Sequence, residues 1–222
     1  MDAPSKMLEG RLFTGTEMSD FLLSACHDLK SSLRAIRTHT ELLLKDPKLK
    51  DLNDDPRLAF VIDGSRKLDS LVNEISGYSI ALRIDPGAFV VTPLRPLVRG
   101  ALAKLDKELG ATRAEVRYED LPTVPGEPDR LMELFEKLLR HRIGLSSLIR
   151  INASPHPDGW LFTLSDNGPG LVEPAELENL FRPFVHGLGL ATCREIVERH
   201  GGKIWAESRA EEFQFLLTLP AT

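Results

Sequence analysis

Apolar and small residues recur at helical spacing in two stretches of the N-terminal third of the chain. In both stretches the steps between them alternate between four and three positions. The first series is Leu22, Cys26, Leu29, Leu33, Ile36, Thr40 and Leu43, and the second is Val61, Ser65, Leu68, Val72, Ile75, Ser79 and Leu82. This alternation is typical of helices that pack along one seam. It predicts two long helices, the first opening with a capping box at 14–17, separated by a polar loop at 47–56.

Two helices with matching seams and a short connection are expected to form an antiparallel hairpin. Leu58, Leu71 and Tyr78 widen the apolar stripe of the second helix, so one hairpin cannot bury its own apolar surface. The pattern favours a four-helix bundle made by two chains, and therefore a homodimer. The alternative is an intramolecular bundle completed by helices of the C-terminal half.

The rest of the chain alternates between helical and strand-like patterns. We predict helices at 96–109 and 129–143, strands at 114–118, 148–153 and 160–164, and a loop at 121–126. The predicted organisation is an N-terminal tail (1–18), a helical hairpin (19–84), a linker rich in turn signals (85–93) and an α/β domain (94–222). The predicted fold class is thus a dimeric helical bundle followed by an α/β sandwich with a mixed sheet packed on helices.

Composition narrows the class of protein. The 222 residues are 42% hydrophobic and 27% charged, with a net charge of −5, which indicates a folded, mildly acidic protein and disfavours nucleic-acid binding. The sequence contains two cysteines, Cys26 and Cys193, in unrelated contexts, so neither a disulfide framework nor a zinc site is expected. No stretch has the length and apolarity of a membrane span or signal peptide. We therefore expect a cytoplasmic protein with no membrane partner.

His27 and Asp28 follow the seam residue Cys26 and should point sideways to solvent. A neutral imidazole can attack a phosphoryl group with one ring nitrogen. A neighbouring carboxylate can accept the proton of the other nitrogen and raise its nucleophilicity. The pair is therefore a candidate catalytic site, although a solvated charged pair explains these two residues equally well.

The segment at 27–34 resembles the phosphoacceptor box of histidine protein kinases, in the form seen in phytochrome-like kinases. It reads His-Asp-Leu-Lys-Ser-Ser-Leu-Arg. Ser32 stands where that family has a proline that bends the helix, so a straighter helix is expected here. The resemblance implies that His27 is phosphorylated and that Asp28 assists it.

The sequence Asp-Asn-Gly-Pro-Gly-Leu at 166–171 resembles the first glycine box of GHKL-type ATP-binding domains. The resemblance implies that Asp166 accepts a hydrogen bond from the adenine amino group, and that Gly168 and Gly170 let the backbone approach the nucleotide. Taken alone, these glycines also suit a plain turn. Further segments at 180–184, 195–205 and 215–220 follow the same family. Gly187 and Gly189 resemble its second glycine box, whose helix start would bind phosphate.

Three features depart from that family. Its Asn-Leu-Leu-x-Asn-Ala pattern is replaced by Lys-Leu-Leu-Arg-His-Arg at 137–142. His141 thus stands where an asparagine would hold Mg²⁺, an ion that prefers oxygen ligands. Imidazole is a poor substitute, so we assign no metal site. Lys137, together with Arg140 and Arg142, could offset phosphate charge instead. Only Val185 and His186 remain of the ATP lid, and Glu211 and Glu212 stand near the third glycine box.

Two functions remain open. One is a histidine kinase core that autophosphorylates His27 from ATP and passes the phosphoryl group to an aspartate of a response-regulator receiver domain. The other is a non-kinase histidine phosphotransferase or scaffold with a degenerate ATP-binding domain. Asp166 and the retained glycines favour the kinase, whereas His141, the short lid and the lost third glycine box favour the phosphotransferase. Another kind of GHKL ATPase would leave the His-Asp hairpin unexplained. In either case ATP is expected to bind weakly.

Overall fold

A pair of long helices is followed along the chain by an α/β domain. The computed structural model describes residues 15–45, 56–170, 174–185, 187–209 and 212–222. The helices are α1 (Gly15–Lys45), α2 (Pro56–Ala81), α3 (Leu94–Lys104), α4 (Asp106–Thr112), α5 (Pro128–Arg142), α6 (Pro174–Asn179) and α7 (Gly189–Arg199). The strands are β1 (Val90–Pro93), β2 (Glu115–Tyr118), β3 (Thr123–Gly126), β4 (Leu148–His156), β5 (Gly159–Asp166), β6 (Ile204–Arg209) and β7 (Glu212–Leu219). Residues 1–14, all but the last residue of the predicted loop at 47–56, and Leu171, His186 and Glu211 lie outside the described residues, and Pro56 already begins α2.

The helices α1 and α2 form the predicted antiparallel hairpin. Near its open end the buried Ser19 hydroxyl donates to the carbonyl oxygen of Ser79 at 2.7 Å, and Arg83 pairs with Asp20 at 2.8 Å. α2 ends at Ala81, so Leu82, the last position of the predicted second seam, lies one residue beyond the helix.

The two heptad seams divide into a covered half and an exposed half. One set of positions, seven residues apart on each helix, is buried within the hairpin: Cys26, Leu33 and Thr40 on α1, and Ser65, Val72 and Ser79 on α2. The other set remains largely exposed: Leu29, Ile36 and Leu43 on α1, and Val61 and Leu68 on α2. A single chain therefore buries only half of the seam that its sequence encodes.

The α/β domain is built on a five-stranded mixed sheet in the order β2-β4-β5-β7-β6. β2 runs parallel to β4, and the other neighbours are antiparallel. α3, α5 and α7 pack side by side, and their apolar faces join the sheet in one core that contains Phe135, Phe162 and Phe215. The domain thus has the predicted mixed sheet packed on helices, and α7 also contacts α2 of the hairpin.

The segments predicted as a linker and a loop pair with each other in the structure. Residues 90–93 of the predicted linker form β1, and residues 123–126 of the predicted loop form β3, in antiparallel register from Val90 with Gly126 to Pro93 with Thr123. The loop prediction was wrong at these residues because their prolines and glycine read locally as turn signals, whereas the pairing joins segments about thirty residues apart.

Three further elements differ from the sequence-based prediction. The helix predicted at 96–109 is two helices, α3 and α4, because the fully buried Leu105 adopts a non-helical backbone conformation between them. The short helix α6 was not predicted. The last strand, predicted from Phe215, already begins at Glu212, so Glu212 pairs with Arg209 in a β-ladder rather than forming a glycine-type loop.

His200 ties α7 to the start of α5. Its Nδ1 lies 2.7 Å from the carbonyl oxygen of Ile196, and its Nε2 accepts a hydrogen bond from the backbone N–H of Glu127 at 3.1 Å. The ring stacks on Phe89 at a centroid distance of 4.4 Å. Burial lowers the pKa of His200, so the ring is held neutral with Nε2 as an acceptor.

We expect the protein to lose stability as the pH falls below about 6.5, the ordinary pKa of histidine. Because the pKa of His200 is lower in the folded than in the unfolded chain, the unfolded chain takes up the proton first and folding is weakened on the acid side. Each lost kcal/mol should lower the melting temperature by roughly 2–4 °C. Calorimetric melting between pH 7.5 and 5.5 should show a steeper fall for wild type and His39→Gln than for His200→Gln; equal slopes would contradict this role.

Candidate functional site

His27 and Asp28 lie side by side on the exposed surface of α1. Nδ1 of His27 is 3.2 Å from Oδ1 of Asp28, and the two side chains are 84% and 83% exposed. At this distance an Nδ1–H can donate to the carboxylate, which leaves the Nε2 lone pair directed away from Asp28. Their predicted sideways orientation is confirmed, and a partner protein can reach Nε2 from solvent.

The helix runs through Ser32 without interruption. The Ser32 hydroxyl donates to the carbonyl oxygen of Asp28 at 3.2 Å, a bond within one helical turn that a proline at this position could not make. Ser32, four positions after Asp28, thus continues the helix.

Asp166 lies at the end of β5 and is almost fully enclosed. Its two carboxylate oxygens receive two hydrogen bonds from Arg142, from Nε at 2.6 Å and from Nη2 at 3.0 Å. Oδ1 also accepts from the backbone N–H of Gly168 at 2.8 Å. The side chains of Arg142 and Asp166 are only 4% and 1% exposed. The residue predicted to bind adenine is therefore held by an arginine of the same chain.

Gly168 is required here by a contact within the protein. A Cβ at this position would lie 2.6 Å from the carbonyl oxygen of Leu145, which is closer than real Cβ contacts. The neighbouring Asn167 side chain accepts from the backbone N–H groups of Ser147 and Leu148 at 3.1 and 3.0 Å. The first glycine box is thus fixed against the loop that leads into β4, and Gly170 follows on the same loop.

Gly187 and Gly189 flank the start of α7, where an acidic side chain from the hairpin is already bound. Glu74 of α2 accepts a hydrogen bond from the backbone N–H of Leu188 at 2.9 Å. Gly187 has a φ of +83°, and a Cβ there would come within 3.1 Å of the same carboxylate oxygen. A negative charge at the first turn of a helix is favourable, so this contact holds α7 against the hairpin.

A cavity of about 380 Å³ lies between α2, α5 and α7. Its lining includes two predicted site residues on α5, Lys137 and His141, and Gly189. Nζ of Lys137 lies 3.5 Å from Oε1 of Glu133, and the His141 ring is 5.6 Å from that of Phe215. The predicted binding residues thus form two groups. Lys137, His141 and Gly189 line this cavity, with Gly187 beside Glu74, whereas Asp166 and the glycine-box loop of Gly168 and Gly170 lie at Arg142.

Neither a metal cluster nor a membrane span can be assigned in the part of the chain that the structure describes. No three His, Cys, Asp or Glu side chains there come together as they would around a metal ion. No described helix is long and apolar enough to cross a bilayer.

Two residues that shape this region, Arg142 and Glu74, were not among the predicted site residues. Arg142 had a signal in the sequence, because it stands where the resembled family has a small alanine. That signal suggested only a phosphate partner, whereas the guanidinium in fact faces Asp166. Glu74 had no such signal, since its role depends on how the hairpin meets α7.

The mixed sheet with helices packed on it has the histidine kinase-type ATPase fold. A helical hairpin with an exposed His-Asp pair precedes it. Residues 126–222 match the family described as histidine kinase-, DNA gyrase B- and HSP90-like ATPase. The chain belongs to the two-component sensor histidine kinases, which confirms the resemblance drawn from the sequence.

Among its relatives is cyanobacterial phytochrome A of Nostoc sp., 30% identical over 93% of this chain and 29% of that protein. The adaptive-response sensory kinase SasA of Synechococcus sp. is 30% identical over 86% of this chain and 56% of that protein. This chain therefore spans about a third to a half of the length of such relatives.

Solved structures show the same fold. ShkA in complex with AMPPNP superposes with a TM-score of 0.70 at 18% identity, covering 92% of this chain and 46% of that one. ThkA in complex with the response regulator protein TrrA superposes with a TM-score of 0.62 at 21% identity, covering 93% of this chain and 61% of that one.

Proposed function

We propose that His27 carries a phosphoryl group that it exchanges with an aspartate of a response-regulator receiver domain. The observation that carries the proposal is the exposed His27–Asp28 pair, 3.2 Å apart, on a hairpin joined to a histidine kinase-type domain. The related ThkA was solved in complex with a response regulator protein, which supports a receiver as the partner here.

The chemistry follows from the geometry of the pair. The Nε2 lone pair attacks the phosphorus of an aspartyl phosphate, the new N–P bond forms, and the acyl P–O bond breaks so that the aspartate leaves as a carboxylate. The proton on Nδ1 stays hydrogen-bonded to Asp28, whose negative charge stabilises the ring as it becomes positive. The same steps in reverse return the phosphoryl group to a receiver.

Two sources of the phosphoryl group are compatible with this role. An ATP-driven kinase is supported by the family of the C-terminal domain. However, the side chains present do not fit ATP in this conformation, because Arg142 binds both oxygens of Asp166 and Glu74 caps the start of α7. These contacts favour the second candidate, a phosphotransferase that is charged by a receiver.

The decisive experiment compares the two sources. The full chain is incubated either with γ-labelled ATP and Mg²⁺ or with a panel of receiver domains carrying labelled phosphate. We expect rapid, acid-labile and base-stable labelling from at least one receiver, and slow labelling from ATP. Rapid labelling from ATP would establish the kinase instead. Acid-stable label on a serine or threonine would contradict both.

We also propose that the chain is a homodimer through α1 and α2. The exposed seam residues, such as Leu29 and Leu68, repeat every seven residues beside the covered ones, as expected for a hairpin that packs on a second copy of itself. The intramolecular alternative is disfavoured, since the α/β domain contacts the hairpin mainly through α7 and leaves these residues exposed.

A further inference from the structure

The buried guanidinium of Arg142 makes several contacts within the protein. Besides its two hydrogen bonds to Asp166, Nη2 donates to the carbonyl oxygen of Pro169 at 3.0 Å. The guanidinium carbon lies 4.2 Å from the ring centroid of Phe213, within the range of a cation–π interaction. A two-pronged arginine–carboxylate pair has well-defined geometry and strong hydrogen bonds. Arg142 is therefore a buried and well-fixed residue beside Asp166, not an exposed surface side chain.

The carboxylate of Asp166 is covered by donors of its own chain, with only 1% of the side chain exposed. Oδ2 receives Nε of Arg142, while Oδ1 receives both Nη2 of Arg142 and the backbone N–H of Gly168. Because the guanidinium lies against both oxygens of this enclosed carboxylate, an amino group can reach Asp166 only when Arg142 moves away. Losing one partner of a buried ion pair is unfavourable unless another donor takes its place.

At the start of α7, where the family resemblance places a phosphate, the structure has a negatively charged side chain of the hairpin. The carboxylate of Glu74 binds the backbone N–H of Leu188 at 2.9 Å, directly before the first residue of the eleven-residue helix α7. A phosphate placed at this helix start would meet the Glu74 carboxylate and be repelled. Because Glu74 belongs to α2, the same contact joins the hairpin to the α/β domain.

The cations that border the cavity are also engaged within the protein. Lys137 lies 3.5 Å from Glu133, and Arg140 pairs with Glu136 at 2.8 Å. An incoming phosphate would have to compete for both of them, in addition to displacing Glu74.

We propose that the chain carries internal substitutes for a nucleotide, with the Arg142 guanidinium in place of the base's amino group at Asp166 and the Glu74 carboxylate in place of a phosphate at the start of α7. This inference rests on the adenine-binding role that the family resemblance implies for Asp166. A purine nucleotide then binds only when both side chains move away. The domain stays docked on the hairpin through Glu74 without nucleotide.

The effects of Arg142 and Glu74 on ligand affinity can be measured separately. Two probes, adenosine and ATP, are titrated into the full chain in a calorimeter. Arg142→Ala should strengthen the binding of both probes by at least about tenfold, since both carry the amino group. Glu74→Gln keeps a hydrogen-bond acceptor but removes the charge, so it should strengthen ATP binding severalfold and leave adenosine unchanged. Arg117→Ala, which removes an exposed arginine paired with Glu115 on β2, is the matched control and should leave both affinities at the wild-type value.

Clear results would overturn the proposal. One is a folded Arg142→Ala protein that binds neither probe better than wild type. Another is tight ATP binding by wild type that Asp166→Asn abolishes, because Asp166 would then be free for the nucleotide despite Arg142. If Arg142→Ala does not fold, Arg142→Met, which fills much of the same volume but carries no hydrogen-bond donor, replaces it with the same expected gain.

A separate reaction distinguishes this proposal from the role of His27. Phosphoramidate, a small donor that needs no nucleotide pocket, should label His27 equally in wild type, Arg142→Ala and Glu74→Gln. Absence of this label would count against His27 as the phosphoacceptor, while the affinities of the two probes would still decide the proposal about Arg142 and Glu74.

Discussion

His27→Ala should abolish phosphoryl labelling of this protein from every donor that labels the wild type. The reason is that the imidazole Nε2 is the attacking atom in the proposed reaction, and alanine offers no nucleophile in its place. Loss should be complete and not partial. Labelled protein is measured after gel separation, with acid and base treatment to identify a phosphorus–nitrogen bond. The matched control is His39→Ala, which removes another exposed histidine of α1 and should keep wild-type labelling.

Asp28→Asn should slow the same labelling without preventing it. The amide still lies beside Nδ1, but it carries no negative charge to stabilise the developing imidazolium. Loss of such assistance typically costs roughly 100-fold or more in rate. The melting temperature should stay close to that of wild type because Asp28 is 83% exposed. A rate equal to wild type would show that Asp28 is only a solvated neighbour of His27.

Leu68→Asp should convert the protein from a dimer to a monomer. Leu68 lies on the exposed half of the α2 seam with 51% of its surface accessible in the single chain. In a four-helix bundle of two chains this position is covered, and an aspartate there would bury an uncompensated charge. A cost of about 3 kcal/mol weakens association by more than 100-fold.

Light scattering coupled to gel filtration gives the measurement. Wild type should show twice the chain mass of 24.7 kDa, and Leu68→Asp should show the mass of a single chain. Lys67→Asp, an exposed neighbour outside the seam, introduces the same side chain and should remain dimeric. A wild-type protein that is monomeric at high concentration, or a Leu68→Asp variant that stays dimeric, would rule out this seam as the interface.

The hairpin was predictable because its signal is local. Heptad spacing reports which residues share one face of a helix, and this is a property of neighbouring positions in the chain. The same locality placed β2, α5, β4 and β5 correctly, and it put His27 and Asp28 on the solvent side of α1. The family resemblance rested on short motifs of the same kind, so the amino-acid sequence was enough to recognise it.

Two of the corrections show tertiary packing at work. The prolines of β1 and β3 indicated turns, yet the two segments pair across about thirty residues. Leu105 fits the apolar face of one continuous helix, but packing of this fully buried residue accompanies a break between α3 and α4. In both places tertiary packing overrode a local preference of small energy.

By itself the sequence determined the two seams, the His-Asp pair, the alternating α/β domain and the family. Only the tertiary structure decided which half of each seam is covered, and which side chains occupy the ends of the predicted nucleotide region. Arg142 meets Asp166 across 24 residues, and Glu74 meets Leu188 across 114. Such contacts depend on how whole elements pack, and no periodicity along the chain encodes that.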